Sequence, residues 1–298
     1  MPLLDIVLLV LAAVAWGFNF VVIKIGLANF PPILFSALRF IFAALPLIFF
    51  IRRPNVSWRI IIGIGLVLGV VKFSLLFIGM DVGVSAGLAS LLLQSQVFFT
   101  VALAAILYGN RPRPIQLAGF LVAFIGMAAI ATTVDGSFTY LGLGLLLASS
   151  LAWAFSNMLT RKAGNVDMLA LMVWASIIPP LPLAIISFAT EGIERDIIAL
   201  QSLTWEGVAA VAYIAYVATV FGFGVWGMMI RRHGVSTVAP FSLLVPVFGM
   251  SFSAIVFGES FGPWRLMGAM LVVCGLILTV LGPRLLDRWR AAPSAQAG

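Results

Sequence analysis

The first group in this chain whose chemistry calls for a partner is an ammonium. Lys72 lies in VVKFSLLF, residues 70–77, near the middle of an apolar run over 60–80, and no acidic residue is nearer along the chain than Asp81. It stands about 12 residues, or roughly 18 Å, from the start of that run, where a long side chain can least reach water by snorkelling. A cation at such depth in a membrane costs about 2.5–3.5 kcal/mol on the insertion scale, so residues of this kind face a bundle interior or a wet cavity. Two readings stand side by side. The ammonium projects into a hydrated central cavity, where it meets the carboxylate of a zwitterionic substrate, or it is held by backbone carbonyls or as the neutral amine.

Other polar groups at similar depth favour a cavity. Asn19 in the first apolar run has Ser156 and Asn157 as counterparts in the sixth, Gln94, Ser95 and Gln96 cluster in the fourth, and Ser242 lies between Pro240 and Pro246 in the ninth. A proline inside a membrane helix frees a backbone carbonyl that a neighbour or a wet cavity must satisfy. Trp16, Trp153, Trp174, Tyr213, Tyr216 and Trp226 can supply apolar or cation-attracting walls, although each alone is more often packing or an interfacial anchor. The expected substrate-binding set is therefore Lys72, Asn19, Trp16, Gln94, Gln96, Trp153, Asn157, Tyr213 and Ser242, with Gly224, Pro240 and Pro246 as gating positions. Arg39, about two turns inside its run, pairs with a helix carbonyl terminus or lines an outer vestibule. Lys24, Arg161 and Lys162 end their runs and read as snorkelling residues.

Catalytic and cofactor chemistry find no support. Gly83-Val84-Ser85-Ala86-Gly87 matches G-x-S-x-G but lacks the strand-to-helix elbow and a histidine base on its side of the membrane. Gly222 to Gly227 matches G-x-G-x-x-G inside an apolar helix with no preceding strand, which reads as close packing or a flexible, gating segment. With one His, one Cys and no acid at mid-membrane, neither an enzyme constellation nor a metal or cofactor site is expected. The same absence removes the usual carboxylate proton relay and favours uniport, or coupling through another group.

The elements that must position these groups follow from composition. The chain of 298 residues is 63% hydrophobic and 9% charged, with a mean hydropathy of +1.18, against roughly a quarter charged in a soluble domain. A helix needs about 20 apolar residues to cross a bilayer. Ten such runs lie near 4–27, 32–51, 60–80, 84–107, 114–133, 139–161, 168–190, 207–230, 235–257 and 264–283, the first retained as a helix, and their connections are too short to hold a soluble domain. Alternate loops collect the cations: Arg52, Arg53, Arg59, Arg111, Arg113, Arg161, Lys162, Arg231, Arg232 and Arg284 fall on one side. The positive-inside rule makes that side, and both termini, cytoplasmic in a bacterial inner membrane. The net charge of +7 is then a property of the membrane face and requires no nucleic-acid partner.

The chain also repeats itself. AWGFNFVVIK from Ala15 aligns with AWAFSNMLTR from Ala152, and an offset of 149 pairs Phe99 with Phe248, Gly119 with Gly268 and Gly126 with Gly275. Five runs per half force the second half into the membrane from the opposite face. The expected architecture is thus an all-α integral membrane protein of ten transmembrane helices in two inverted five-helix repeats, over 4–133 and 139–283, with a cytoplasmic tail at 284–298. Inverted repeats are frequent in secondary transporters, whose site lies between the repeats near the midplane.

The start AWGFNFVVIK, Leu38-Arg39-Phe40 and GESFGPWRLMGAMLVVCG from Gly258 resemble the EamA family of the drug/metabolite transporter superfamily over nearly the whole chain. That resemblance implies an exporter of amino acids or similar small metabolites that works without ATP, with a small-molecule substrate and the lipid bilayer as its partners. One departure is Asn110, which stands where the second half has Glu259. Export of other metabolites is the alternative within the class; an intramembrane enzyme or a channel is the alternative outside it.

Overall fold

The computed structural model describes residues 1–109, 111–133 and 138–291, the side chains of 235, 236 and 287–291 excepted; Asn110, Asp135 and the end of the expected tail lie outside the described residues. Ten helical spans are long and apolar enough to cross a membrane. They are α1 (Leu3–Leu27), α2 (Pro32–Phe49), α3 (Trp58–Asp81), α4 (Ala86–Tyr108), α5 (Pro114–Ala131), α6 (Tyr140–Ala163), α7 (Met168–Gln201), α8 (Trp205–His233), α9 (Ala239–Phe257) and α10 (Pro263–Leu286). All ten expected runs are present.

Helix starts carry the side chains that satisfy otherwise orphaned N–H groups. Thr139 accepts from the Gly142 N–H, Thr204 from that of Gly207 and Asp167 from that of Ala170, each at 3.0 Å. Gly109 after α4 and Gly258 after α9 turn with φ of +68° and +65°, a left-handed conformation that favours glycine.

Two boundaries differ from the sequence reading, each for a physical reason. Residues 191–206 were expected to be a loop, yet α7 continues through a helix at Ile193–Gln201. That turn has an apolar side and a charged side, and it places Asp196 beneath Ser187, which donates to it at 2.7 Å. In its other half α7 breaks between Met168–Ala175 and Pro180–Ser187. Pro179, Pro180 and Pro182 crowd the break, and a proline offers no N–H to the preceding turn. α3 packs on this break through Gly65 and Gly69, where a Cβ would come 2.7 Å from the Ala175 carbonyl and 2.1 Å from Pro179. The G-x-x-x-G pattern thus marks a close helix approach.

Pairings between spans frame the interior. α1 lies along α9 and α8, α4 along α9 and α6, α3 along α6, and α2 along α7. α5 and α10 form a pair of their own, crossing antiparallel through glycines. A Cβ on Gly119 would meet the Gly275 carbonyl at 2.7 Å and one on Gly126 the Gly268 carbonyl at 2.6 Å, while Gly268 and Gly275 meet Gly126 and Gly119 at 2.7 and 2.5 Å. Backbone contact this close leaves no room for any side chain.

Two predictions follow from these contacts. Gly126→Val overpacks the crossing and lowers stability by about 1–3 kcal/mol, read as a lower unfolding midpoint in detergent; Gly144→Ala, with open space around it, leaves the midpoint unchanged or higher. The second concerns Asp167 at the start of α7. Burial opposes its ionisation, but bonds from the Arg231 guanidinium at 2.5 Å and from the Ala170 N–H outweigh burial and hold the carboxyl below its ordinary 3.8. A carboxyl lowered on folding stabilises above its unfolded value and loses that contribution as pH falls through the folded one. Asp167→Asn therefore has the lower midpoint at neutral pH, and the gap to the natural protein closes as pH drops below 3.8.

Candidate functional site

Lys72 closes a π-wound segment of α3, Gly65–Lys72, and is 3% exposed. Its Nζ lies 3.4 Å from the centre of the Phe73 ring and 4.7 Å from that of Trp153, and its backbone carbonyl accepts from the Ser149 hydroxyl at 2.8 Å. Aromatic faces therefore hold the ammonium here, an interaction that strengthens where water is excluded. The other face-sharing cation is Arg39 of α2, also 3% exposed, whose Cζ is 3.9 Å from the same Phe73 centroid. Its Nη2 donates to Thr219 Oγ1 at 3.0 Å, and Thr219 in turn donates to the Ile214 carbonyl at 2.8 Å. Thr219 belongs to the π-wound segment Tyr213–Phe221 of α8. Four spans thus converge on one phenyl ring: α2, α3, α6 and α8. Space beside Arg39 amounts to a cavity of about 20 Å³.

The remaining expected residues separate into three groups. Asn157 of α6 donates to Gln96 Oε1 and to Thr100 Oγ1 of α4, both at 3.0 Å. Gln94 Nε2 donates at 3.0 Å to the Ser242 carbonyl in α9. That carbonyl lies four residues before Pro246, which lacks the N–H that would have met it; the freed group is thus satisfied by a side chain of another span. Ser242 Oγ turns back to the Ala239 carbonyl. Trp16 Nε1 donates to the Ala218 carbonyl at 2.8 Å and Tyr213 Oη to the Ala15 carbonyl at 3.0 Å, so both tie α1 to α8. Asn19 is buried, its Oδ1 without a hydrogen-bond partner among the described residues.

Among the gating positions, Gly224 has only Leu169 side-chain atoms at 3.8 Å, whereas its neighbours are tight: a Cβ on Gly222 would lie 2.4 Å from Trp16 Nε1 and one on Gly227 2.5 Å from the Met168 Cβ. Close packing in G-x-G-x-x-G is therefore carried by its first and last glycines. Pro240 lies in a 3₁₀ turn, Ala239–Leu243, leading into the helix that holds Pro246.

A cavity of about 650 Å³ opens on the arginine-rich face, with Thr100, Asn157, Arg111, Arg161 and Arg231 among its lining. Asp167 pairs with Arg231 at its rim. The far ends are joined instead by carboxylates. Glu191 of α7 accepts from the Ile33 and Leu34 N–H groups at 2.8 and 3.0 Å, sealing the start of α2. Glu259, after α9, accepts from the Ala86 and Gly87 N–H groups at 3.2 and 3.3 Å, sealing the start of α4. Lys24 reaches Glu259 at 3.4 Å and is 43% exposed, so an ion pair at a helix start stands where snorkelling was expected. Anions at helix N-termini meet both unpaired donors and the favourable end of the helix dipole.

Sequence reasoning missed Thr219, Thr100 and the two caps. Thr219 and Arg39 are 180 residues apart and Glu191 and Ile33 158. No local pattern connects such pairs.

Known proteins give this architecture its relatives. The profile described as the EamA-like transporter family matches residues 3–132 and again 140–281. A probable amino-acid metabolite efflux pump of Salmonella typhimurium is 39% identical over 93% of this chain and 95% of its own, and one of Escherichia coli 38% identical over 97% of each. A probable terminal-alkyne amino-acid exporter of Streptantibioticus cattleyicolor is 27% identical over 95% of each. A solved crystal structure, 19% identical, superposes with a TM-score of 0.65 over 95% of this chain and 98% of its own, a likeness of fold alone. The ten apolar spans, the twofold match of one profile and the relatives at 38–39% identity lead to one conclusion: this multi-pass membrane protein belongs to the EamA-like transporter family.

Proposed function

We propose that the protein exports amino acids or closely related small metabolites across a bacterial inner membrane by alternating access. The observation that carries this reading is the difference between the two faces. A cavity of about 650 Å³ opens between spans of both halves on the arginine-rich side, while on the other side Glu191 and Glu259 of the second half bind the helix starts of α2 and α4 in the first. A pump with one face open and the other latched is at one end of an alternating-access cycle. The names of the relatives at 38–39% identity supply the substrate class.

The repeats are taken as 4–133 and 139–283, inverted relative to one another. Their reciprocal glycine contacts favour this: Gly119 meets Gly275 as Gly126 meets Gly268, and under the offset of 149 each contact is the image of the other. Contacts of residue i on j′ and j on i′ are what a twofold axis produces, and the antiparallel crossing of this pair favours an axis in the membrane plane. An even number of spans among the described residues favours both termini, with the tail from 284, on one face, which its arginines make cytoplasmic. Lys72, Trp153, Gln96 and Asn157 make up the substrate side of the site; Trp16, Tyr213 and Gln94 hold its walls together with Asn19 and Ser242. Gly224, Pro240 and Pro246 are the positions at which α8 and α9 bend. The site takes a small-molecule substrate and needs no cofactor or catalytic group.

Two measurements test this. Proteoliposomes loaded with a mixture of labelled amino acids release at least one of them faster than protein-free liposomes, and Lys72→Met slows that release roughly 10-fold or more; no release of any amino acid sinks the export reading. In cells carrying Cys274→Ala, a membrane-impermeant maleimide labels Ser202→Cys from outside and leaves Ser57→Cys unlabelled. The opposite pattern reverses the orientation.

A further inference from the structure

Arg39 is a deeply buried charge with no carboxylate partner among the described residues. It is 3% exposed, and of its three guanidinium nitrogens only Nη2 has a hydrogen-bond partner; Nε and Nη1 have none among the described residues. A guanidinium carries five N–H donors and stays charged in proteins. Thr219 does not compensate the charge, it aims it: the hydroxyl proton goes to the Ile214 carbonyl, so a lone pair must face Nη2. Lys72 brings a second ammonium to the same Phe73 ring. Neither cation has a carboxylate within ion-pair distance among the described residues. Two basic side chains at one ring, the guanidinium with two nitrogens unpartnered among the described residues, are suited to an anion.

On two spans, residues that line the cavity beside Arg39 lie three to four positions from residues that line the open vestibule. On α8 the small cavity is lined by Thr219 and Phe223 and the vestibule by Gly227 and Ile230. On α7 the small cavity has Met172 and Ser176, the vestibule Met168. Spacings of three and four place these residues roughly one above the other, over about three turns from Ile230 to Thr219 and about two from Met168 to Ser176. Phe223 and Met172 line the Arg39 cavity, of about 20 Å³, on these two spans, and Trp16 packs 5.6 Å from Phe223.

We propose that Arg39, aimed by Thr219 and backed by Lys72 across Phe73, is the carboxylate-binding subsite of this transporter, reached from the vestibule along the α7–α8 groove past Phe223 and Met172. The substrate class this selects is the free carboxylate; an ester or amide of the same compound leaves the guanidinium unneutralised and is rejected. The proposal deepens the export reading, but its first test is independent of transport.

In that test the protein in lipid nanodiscs is titrated with glycine, acetate, glycinamide and acetamide at constant sodium chloride, following its thermal midpoint and tryptophan fluorescence. Glycine and acetate raise the midpoint of the natural protein and the two amides do not; Arg39→Gln abolishes the response, and Thr219→Val, which leaves the charge in place, weakens it roughly 10-fold. Equal responses to carboxylates and amides, or an unchanged response in Arg39→Gln, overturn the proposal. So does a response that sodium chloride alone reproduces in full, since the subsite is then one for inorganic anions. Should Arg39→Gln fail to fold, the carboxylate-to-amide comparison in the natural protein and the Thr219→Val shift decide the matter. The second test is transport. For whichever amino acid the natural protein releases from liposomes, its carboxamide does not compete, and Arg39→Lys retains part of the rate. Carboxylate binding without release of any amino acid removes the export reading alone; amino-acid release that Arg39→Gln leaves intact removes the subsite alone.

Discussion

In a hydrocarbon environment no water is at hand for a backbone group that a helix fails to pair, and each unmet group costs several kcal/mol. This constraint organises the interior of the protein. Pro246 frees the Ser242 carbonyl, and Gln94 reaches across from α4 to meet it. The Ala218 carbonyl, in the π-wound part of α8, takes the Trp16 indole, and the Ala15 carbonyl takes the Tyr213 hydroxyl. Past the end of α2 the Ile51 carbonyl is met by Trp174 Nε1 at 3.0 Å. Helix starts are served likewise, by Glu191 at α2 and Glu259 at α4. Every one of these bonds joins spans distant in sequence, so irregular windings, which weaken a single helix, become the points where helices are locked together.

Because these locks differ between the two faces, the molecule has a direction. At the carboxylate-capped end the bonds involve charged acceptors and backbone donors, which are stronger than neutral pairs. At the arginine-rich end cations line an open cavity, Asp167 is spent on Arg231 and on the start of α7, and Asp5 on Arg232 and His233. Opening the first end requires breaking the bonds of Glu191 and Glu259, while the second is already accessible. Between them lies the aromatic and cationic cluster around Phe73, where burial and low dielectric strengthen charge interactions.

Much of this was legible in the chain. Period and length of the apolar runs located all ten spans, because a bilayer sets the length a helix must have and leaves little freedom. Pro246 in an apolar run predicted a freed carbonyl, a consequence of local covalent geometry, whereas the depth of Lys72 pointed to a hydrated cavity and the residue is 3% exposed against aromatic rings. What a residue touches was less accessible. Lys72 is embraced by Phe73 and Trp153, and Lys24 meets Glu259, because partners are set by how spans pack and not by their order. The helix over 193–201 was hidden by its charges, which read as loop but line one side of an amphipathic turn.

The sequence by itself determined that the protein lives in a membrane, how many times it can cross, where its cations collect and that its halves are related. Hydrophobicity, charge and repetition are properties of residues taken in order, and solvent acts on them before any packing occurs. Only the tertiary structure decided that Arg39 and Thr219, 180 residues apart, share a hydrogen bond, that Phe73 serves two cations, and that the open space lies at the arginine-rich end. Those are properties of juxtaposition. They depend on glycines that let α5 meet α10 and α3 meet the break in α7, contacts whose partners become defined only when the helices are brought together.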